Sequence, residues 1–547
     1  MSEPVAAPPT DSTAAAEKRA KPEDGTNIKE TIESILVAFI LAFIFRAFVV
    51  EAFVIPTGSM APTLLGAHMR FQCPDCGWTF DVNYSARNQT EDEEMQTPAD
   101  AFPVADIYCP NCGYHVASPR GQSATPIPVN YGDRILVLKY LYLLHPPRRW
   151  DVVVFKSPDS PQEFHYQQNY IKRLVGLPGE RLMVLDGDIY AWNASANCWE
   201  ILRKPRSAQE ALWRLVNDND FHPRKEHRPA PPQWEQPWKA SGSGWEEEKA
   251  NPRIFDFDNA SGAGALHFDP TANSTTQTLT DFLTYDTSPQ PGMIRRPGQV
   301  ALDDENSNAV SDLKLAANYT RTSGSGAFRM RLSRFEDVDH SFTVEVTPDT
   351  VSLIHRTSSG AITSWQKPLS ELGIRGDKPI FVEFMNVDYR VTLRLNGREA
   401  FEPMDYDPNI PWLLDQWRGH ARGKSGEAEI EAENQTCKIE HLSLWRDVYY
   451  TNRSYGREDL HTAGPGNSVQ LGAGEYFVMG DNSAISKDAR YWDVPIDLPH
   501  EGLEMAEGRV PEQFLLGKAV FVYWPAGFRA YDHLSIIPNF ADMRWIH

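Results

Sequence analysis

Two short stretches of this sequence must meet in space, and their meeting limits every fold open to the chain. Cys73-Pro74-Asp75-Cys76-Gly77 and Cys109-Pro110-Asn111-Cys112-Gly113 are near copies, and Gly77 and Cys109 lie 32 positions apart. In each, two thiolates can face one ion, proline pre-sets the turn, and glycine allows the tight backbone that brings amides to the sulfurs. Cys73, Cys76, Cys109 and Cys112 therefore read as a closed four-thiolate zinc site, structural because no coordination position stays open. Two disulfides are the alternative in an oxidising compartment, and the paired spacing favours metal. Only six cysteines occur in 547 residues, so disulfides do not scaffold the chain, and its length calls for two or three domains. A formal charge of −21 argues against nucleic acid as a partner.

Ahead of this module, residues 1–27 carry hardly a large apolar side chain and read as disordered. Ser34 to Phe45 is then apolar without a break. Counted from Ile32 to Val50, with Glu33 and Arg46 near the ends where long side chains reach water, the segment suffices for one membrane span. A core helix would show a polar face, and residues 34–45 have none. A cleavable secretion signal would need a small-x-small site, where this chain has Phe48, Val49 and Val50. Lys18, Arg19, Lys21 and Lys29 precede the segment, and after Arg46 the next basic residue is Arg70. That asymmetry puts the tail in the cytoplasm and the rest outside.

Directly after the apolar segment comes Pro56-Thr57-Gly58-Ser59-Met60. Taken alone it is an ordinary turn; for Ser59 to react it would need a base and a donor for the developing oxyanion. Residues 132–140 and 151–156 read as strands, and Asp186-Gly187 as the turn of a hairpin between 182–185 and 189–192, which gives an antiparallel β domain. Lys172 lies between them in Tyr170-Ile171-Lys172-Arg173-Leu174-Val175-Gly176. It reads either as a solvated strand lysine or as a general base kept neutral by apolar packing.

The chain then changes character. Ser207-Ala208-Gln209-Glu210 opens a helix over 207–216 with a capping box, and 227–252 reads as an extended Pro- and Trp-rich linker. Alternation at Phe342, Val344 and Val346, and at Val387, Tyr389, Val391, Leu393 and Leu395 before Asn396-Gly397, predicts a β-sandwich over 253–450. Its pattern resembles concanavalin-like or laminin-G-like sandwiches, for which a carbohydrate or protein ligand and a plain spacer role stand equally open. Cys198 and Cys437 flank the domain and read as a pair or as two free thiols. Tyr476 to Trp492, with Gly480-Asp481-Asn482 and then Ser486, Asp488 and Arg490, reads on its own as a strand and a polar turn.

In this order, Pro-Thr-Gly-Ser-Met, Tyr-Ile-Lys-Arg and Gly-Asp-Asn after an apolar segment resemble the motifs of type I signal peptidases. The resemblance covers roughly residues 30–65, 130–195 and 470–530. It implies a membrane-bound serine endopeptidase that removes signal peptides from preproteins at the cell's inner membrane, with Ser59 as nucleophile, Lys172 as base and no cofactor for catalysis. It further implies Thr57 as an oxyanion donor, Ser486 in contact with Lys172, and Asp488 with Arg490 as a bracing ion pair. Trp150, Ala489 and Asp493 depart from the family pattern. The organisation read from all this is mainly β: tail 1–28, anchor 29–50, catalytic core 51–70, 122–195 and 451–547, zinc-ribbon insertion 71–121, helix and linker 196–252, sandwich insertion 253–450. Two other readings remain at this point: a Ser-Lys protease with a dedicated or self substrate, and a non-catalytic envelope-binding protein.

Overall fold

β-Branched and aromatic residues in period-two runs build most of the elements, and the computed structural model of the protein is mainly β. It describes residues 28–84, 100–103, 106–118, 125–158, 168–224, 234–273, 279–287, 308–421, 423–451, 462–526 and 539–547. The tail over 1–27, most of the polar loop between the cysteine pairs and the first part of the 227–252 linker lie outside the described residues. Two compact units are present, residues 1–50 and 51–547.

In the first unit Ile28–Phe48 forms one helix of 21 residues, with no Gly or Pro inside it to break the turn. Among the described residues no helix is long and apolar enough to cross a membrane. Lys29, Glu30, Glu33 and Arg46 cut the uninterrupted apolar run of this one to Ser34–Phe45.

The second unit is organised on an eight-stranded antiparallel sheet. Its order is Val50–Val54, Arg134–Leu138, Leu515–Trp524, Val152–Lys156, Asn169–Gly176, Glu475–Met479 and Val510–Pro511, with Arg544–Trp545 beside Leu515–Trp524. The strand carrying Lys172 is interior: Lys172 lies opposite Val153 on one side, and Arg173 opposite Met479 on the other. The hairpin read at Asp186-Gly187 forms, with Leu185 facing Asp188 and both turn residues at positive φ, 51° and 88°. A two-residue turn of that kind requires such backbone angles, which Asp and Gly tolerate.

In sequence between Asn169–Gly176 and Glu475–Met479 comes a larger sheet of 14 strands, with a core that includes Phe257, Phe328, Phe342, Val382, Leu393 and Ile439. Its spine is the pair Asn251–Phe268 and Ala428–Arg446, in register from Phe255 opposite Ile439 to His267 opposite Glu429. Two readings of the 196–252 stretch are corrected. The helix is Arg206–Leu212, with Pro205 at its N-cap and no capping box. From Arg214 the chain is a strand instead, because Arg214–Asp218 pairs with the end of Ala428–Arg446. The linker region from Trp238 onward is two strands, Trp238–Gly242 and Trp245–Glu248, which pair with different parts of Asn251–Phe268 and so join the large sheet. Its tryptophans are buried in that core, donating to Asn217 Oδ1 at 3.1 Å and to Gly264 O at 2.9 Å. Cys198 is exposed, Cys437 is buried, and both are free thiols.

Candidate active site

Backbone clasps fix the loop that carries Ser59. Ile55 N donates to Asp133 O at 2.9 Å, Asp133 N to Leu65 O at 2.8 Å, and Leu65 N to Asp133 Oδ2 at 3.0 Å, which ties both ends of the loop to one residue. Arg544 Nη2 holds the same carboxylate oxygen at 2.8 Å. Gly132 is required beside it, since a Cβ there would lie 1.8 Å from Ile55 O. Within this frame Gly58–Met60 makes one 3-10 turn.

Across 113 positions of sequence, the interior strand brings Lys172 to that turn. Lys172 Nζ donates to Ser59 Oγ at 2.8 Å, with the lysine 5% and the serine 6% exposed. An amine at this distance can take the hydroxyl proton when it is in its neutral form. Thr57 Oγ1 stands 3.5 Å from Ser59 Oγ, at the long end of hydrogen bonding.

The Gly480-to-Arg490 segment forms the wall behind Ser59. Asn482 N donates to Ser59 O at 3.1 Å and Asn482 Nδ2 to Gly58 O at 3.2 Å, so one residue grips two consecutive carbonyls of the nucleophile turn. Asp488 and Arg490 form a fully buried bidentate pair at 2.8 and 2.7 Å, and Asp488 Oδ2 also accepts from Gly480 N at 2.8 Å. Arg490 spends its other donors on Thr451 O and on Ser483 Oγ and O. Ser486 is buried against Gly480, and its Oγ has no hydrogen-bond partner, so it makes no hydrogen bond to Lys172.

Three supports had no role in the sequence reading: Asp133, Asn482, and the buried pair of Arg173 with Asp481 at 2.7 Å on both arms. Asp481 and Asn482 lie inside the Gly-Asp-Asn motif, so their spacing was the available signal. Asp133 carried none, because its partners, the backbone of Ile55 and Leu65 and the Arg544 guanidinium, lie far along the chain.

The two cysteine knuckles meet as their spacing requires. Cys73 Sγ lies 3.7 Å from Cys112 Sγ and Cys76 Sγ 3.6 Å from Cys109 Sγ, with all four sulfurs within 4.8 Å of one another. Sulfur–sulfur edges of a tetrahedral zinc–thiolate site are about 3.8 Å, whereas a disulfide is about 2.05 Å. The donor set fits a structural zinc, and the four thiols are free of disulfides. Each knuckle repeats the same backbone bonds, Gly77 N to Cys73 O and Gly113 N to Cys109 O, both at 2.9 Å, with both glycines at positive φ. A second acidic group, Asp188, Asp312 and Asp388, already holds cations of its own. Lys204 bonds Asp388, and Arg334 bonds Asp312 at 2.6 Å.

Comparison with known proteins adds an independent line. A family model described as signal peptidase, peptidase S26, matches residues 28–73, 114–232 and 421–524. Signal peptidase I of Pseudomonas fluorescens is 40% identical over 83 residues, covering 15% of this chain and 26% of that protein. Signal peptidase I of Rickettsia typhi is 25% identical over 163 residues, covering 30% and 43%. The matches thus span less than half the length of these relatives, and they support a peptidase. Among solved structures, the carbohydrate binding module CBM66 from Bacillus subtilis aligns with 38% of this chain and 94% of its own at 11% identity. Its TM-score of 0.22 is too low to bear on fold or ligand.

Proposed function

We propose that the chain is a membrane-bound serine endopeptidase that removes N-terminal signal peptides from exported preproteins. The observation that carries this reading is the buried 2.8 Å contact of Lys172 Nζ with Ser59 Oγ, in segments matched by the peptidase S26 model. Neutral Lys172 takes the Ser59 proton as Oγ attacks the scissile carbonyl. The Ser59 amide and Thr57 Oγ1 are the candidate donors to the oxyanion. Lys172 then passes the proton to the amine of the departing mature protein, leaving the signal peptide as an ester on Ser59. Water deprotonated by Lys172 hydrolyses that ester. The chemistry needs no cofactor, and zinc at Cys73, Cys76, Cys109 and Cys112 stabilises the fold alone.

The helix Ile28–Phe48 is the anchor in this reading, with the N-terminus cytoplasmic and the catalytic unit outside. At 1.5 Å per residue its 21 residues reach about 31 Å, the thickness of a hydrocarbon core, provided its end charges snorkel. Leu143, Leu144 and Trp545 are large apolar side chains exposed on the second unit, suited to a lipid surface.

The test is processing of a preprotein with an Ala-x-Ala cleavage site by protein reconstituted in vesicles, beside Ser59→Ala and Lys172→Ala. Processing by the unaltered chain alone supports the reading. Equal inactivity of all three across several preproteins would refute the signal-peptidase assignment.

A further inference from the structure

The large sheet sends one segment back to the nucleophile. Residues 279–287 leave the sandwich and are fastened at their start. Arg446 Nη2 donates to Asp281 O at 2.8 Å and Phe282 O at 3.0 Å, and the Asp281 carboxylate accepts from Asn308 N and Nδ2, both at 2.8 Å. The segment ends in the 3-10 turn Thr284–Thr287. There Tyr285 packs into one apolar cluster with Ala61 and Leu65, so close to the nucleophile turn that a Cβ on Gly58 would lie 2.5 Å from its Cε1. The next residue, Asp286, accepts from Asn482 Nδ2 through Oδ1 at 2.7 Å.

Asn482 is the residue that holds Gly58 O and Ser59 O. Its amide has two hydrogens, and the structure commits both, one to Gly58 O and one to Asp286. Its own Oδ1 is buried without a partner. An ionised carboxylate only accepts, so Asp286 settles which end of the Asn482 amide faces the turn. We propose that Asp286, supplied by the sandwich insertion, is a positioning residue for the Ser59–Lys172 pair, acting through Asn482. The insertion then completes the catalytic turn instead of merely decorating it.

Protonation supports the same link. Burial pushes Asp286 up to about 7, against the Asn482 bond and the Arg214 and Arg446 guanidinium groups, with Asp281 adding to the rise. Once protonated, Asp286 can donate to the unpartnered Asn482 Oδ1; the amide turns over and Gly58 O loses its donor.

This inference rests on the Ser-Lys reading, so the test has two readouts on the full chain. One is steady-state preprotein processing. The other is acylation of Ser59 by a small activated ester, read as a mass shift on the Ser59 peptide, which does not depend on preproteins being the substrate. Asp286→Ala is expected to lower both kcat and the acylation rate about tenfold with KM within twofold. Asp286→Asn, whose amide oxygen can still accept, is expected to lose less and to make the acid limb of the pH profile less steep by removing the proton that Asp286 takes up near 7. It also serves if the alanine variant does not fold. Unchanged kcat, acylation and limb steepness in both variants would overturn the inference and leave the peptidase reading intact. Acylation by the wild type without preprotein cleavage would sink the substrate assignment, and the acylation rates would still decide the role of Asp286. A wild-type Ser59 inert to both would overturn both claims.

Discussion

Gly480→Ala puts a single methyl group behind the nucleophile. Its Cβ would lie 2.5 Å from Ser59 O, 2.5 Å from Ser486 Cβ and 2.2 Å from Ser486 Oγ, where ordinary contact begins at 3.4 Å. Rotating Ser486 relieves only the last of these, because the Cβ clash remains. The Ser59 carbonyl must therefore retreat by about 0.9 Å, or the Gly480 strand end must yield against the bond from its own N–H to Asp488. A shift of that size carries Ser59 Oγ out of its 2.8 Å contact with Lys172. Misplacement by about 1 Å costs on the order of a hundredfold in rate. The expected result is kcat down about a hundredfold in preprotein processing, KM within a factor of two or three, and a stability loss of about 1–3 kcal/mol from overpacking. Circular dichroism and urea unfolding separate that loss from global unfolding. A folded Gly480→Ala protein with wild-type kcat would refute the reasoning, since it would mean that Ser59 needs no fixed carbonyl behind it.

Three further outcomes are expected. Asp488→Ala leaves the Arg490 guanidinium buried without its partner and should cost about 3–5 kcal/mol in urea unfolding, far more than loss of a surface pair. Purified protein should hold one zinc per chain by atomic emission; chelation or Cys76→Ser should release it and open the module around Phe71, Phe80 and Val129 to protease. Asp286 has a folded pKa of about 7, above its ordinary 3.8, so its contribution to stability is full below about pH 4 and is lost as pH rises through 7. Asp286→Asn should remove about 2 kcal/mol of the wild-type stability difference between pH 5.5 and 8, measured by urea unfolding at both.

What the sequence made legible was local. Asp186-Gly187 dictates its own turn, and the cysteine knuckles carry their geometry within five residues each, so both read correctly without a partner in view. The helix over 207–216 misled because its second half is decided by a strand more than 200 residues away, where Leu215 meets Trp445. Trp238 and Trp245 looked like linker residues for the same reason, since the core that buries them is built from later strands. At the site, Ser59, Lys172 and the Asp488–Arg490 pair stood out through motif resemblance, whereas Asp133 and Asp286 did not. Asp133 works through backbone groups and an arginine far from it in sequence, and Asp286 sits in a segment with no periodicity, meeting Asn482 only through the path of the folded chain. Ser486 shows the converse: the motif assigns it a bond to the lysine that its buried hydroxyl does not make.

The most direct test of the Ser59–Lys172 chemistry is to quench a preprotein reaction with acid in its first turnovers and weigh the peptides of the enzyme. Signal peptide esterified to the peptide containing Ser59, lost in Ser59→Ala and in Lys172→Ala, is the predicted result. Cleaved preprotein that accumulates with Ser59 unmodified and survives both substitutions would place the chemistry elsewhere and contradict the assignment.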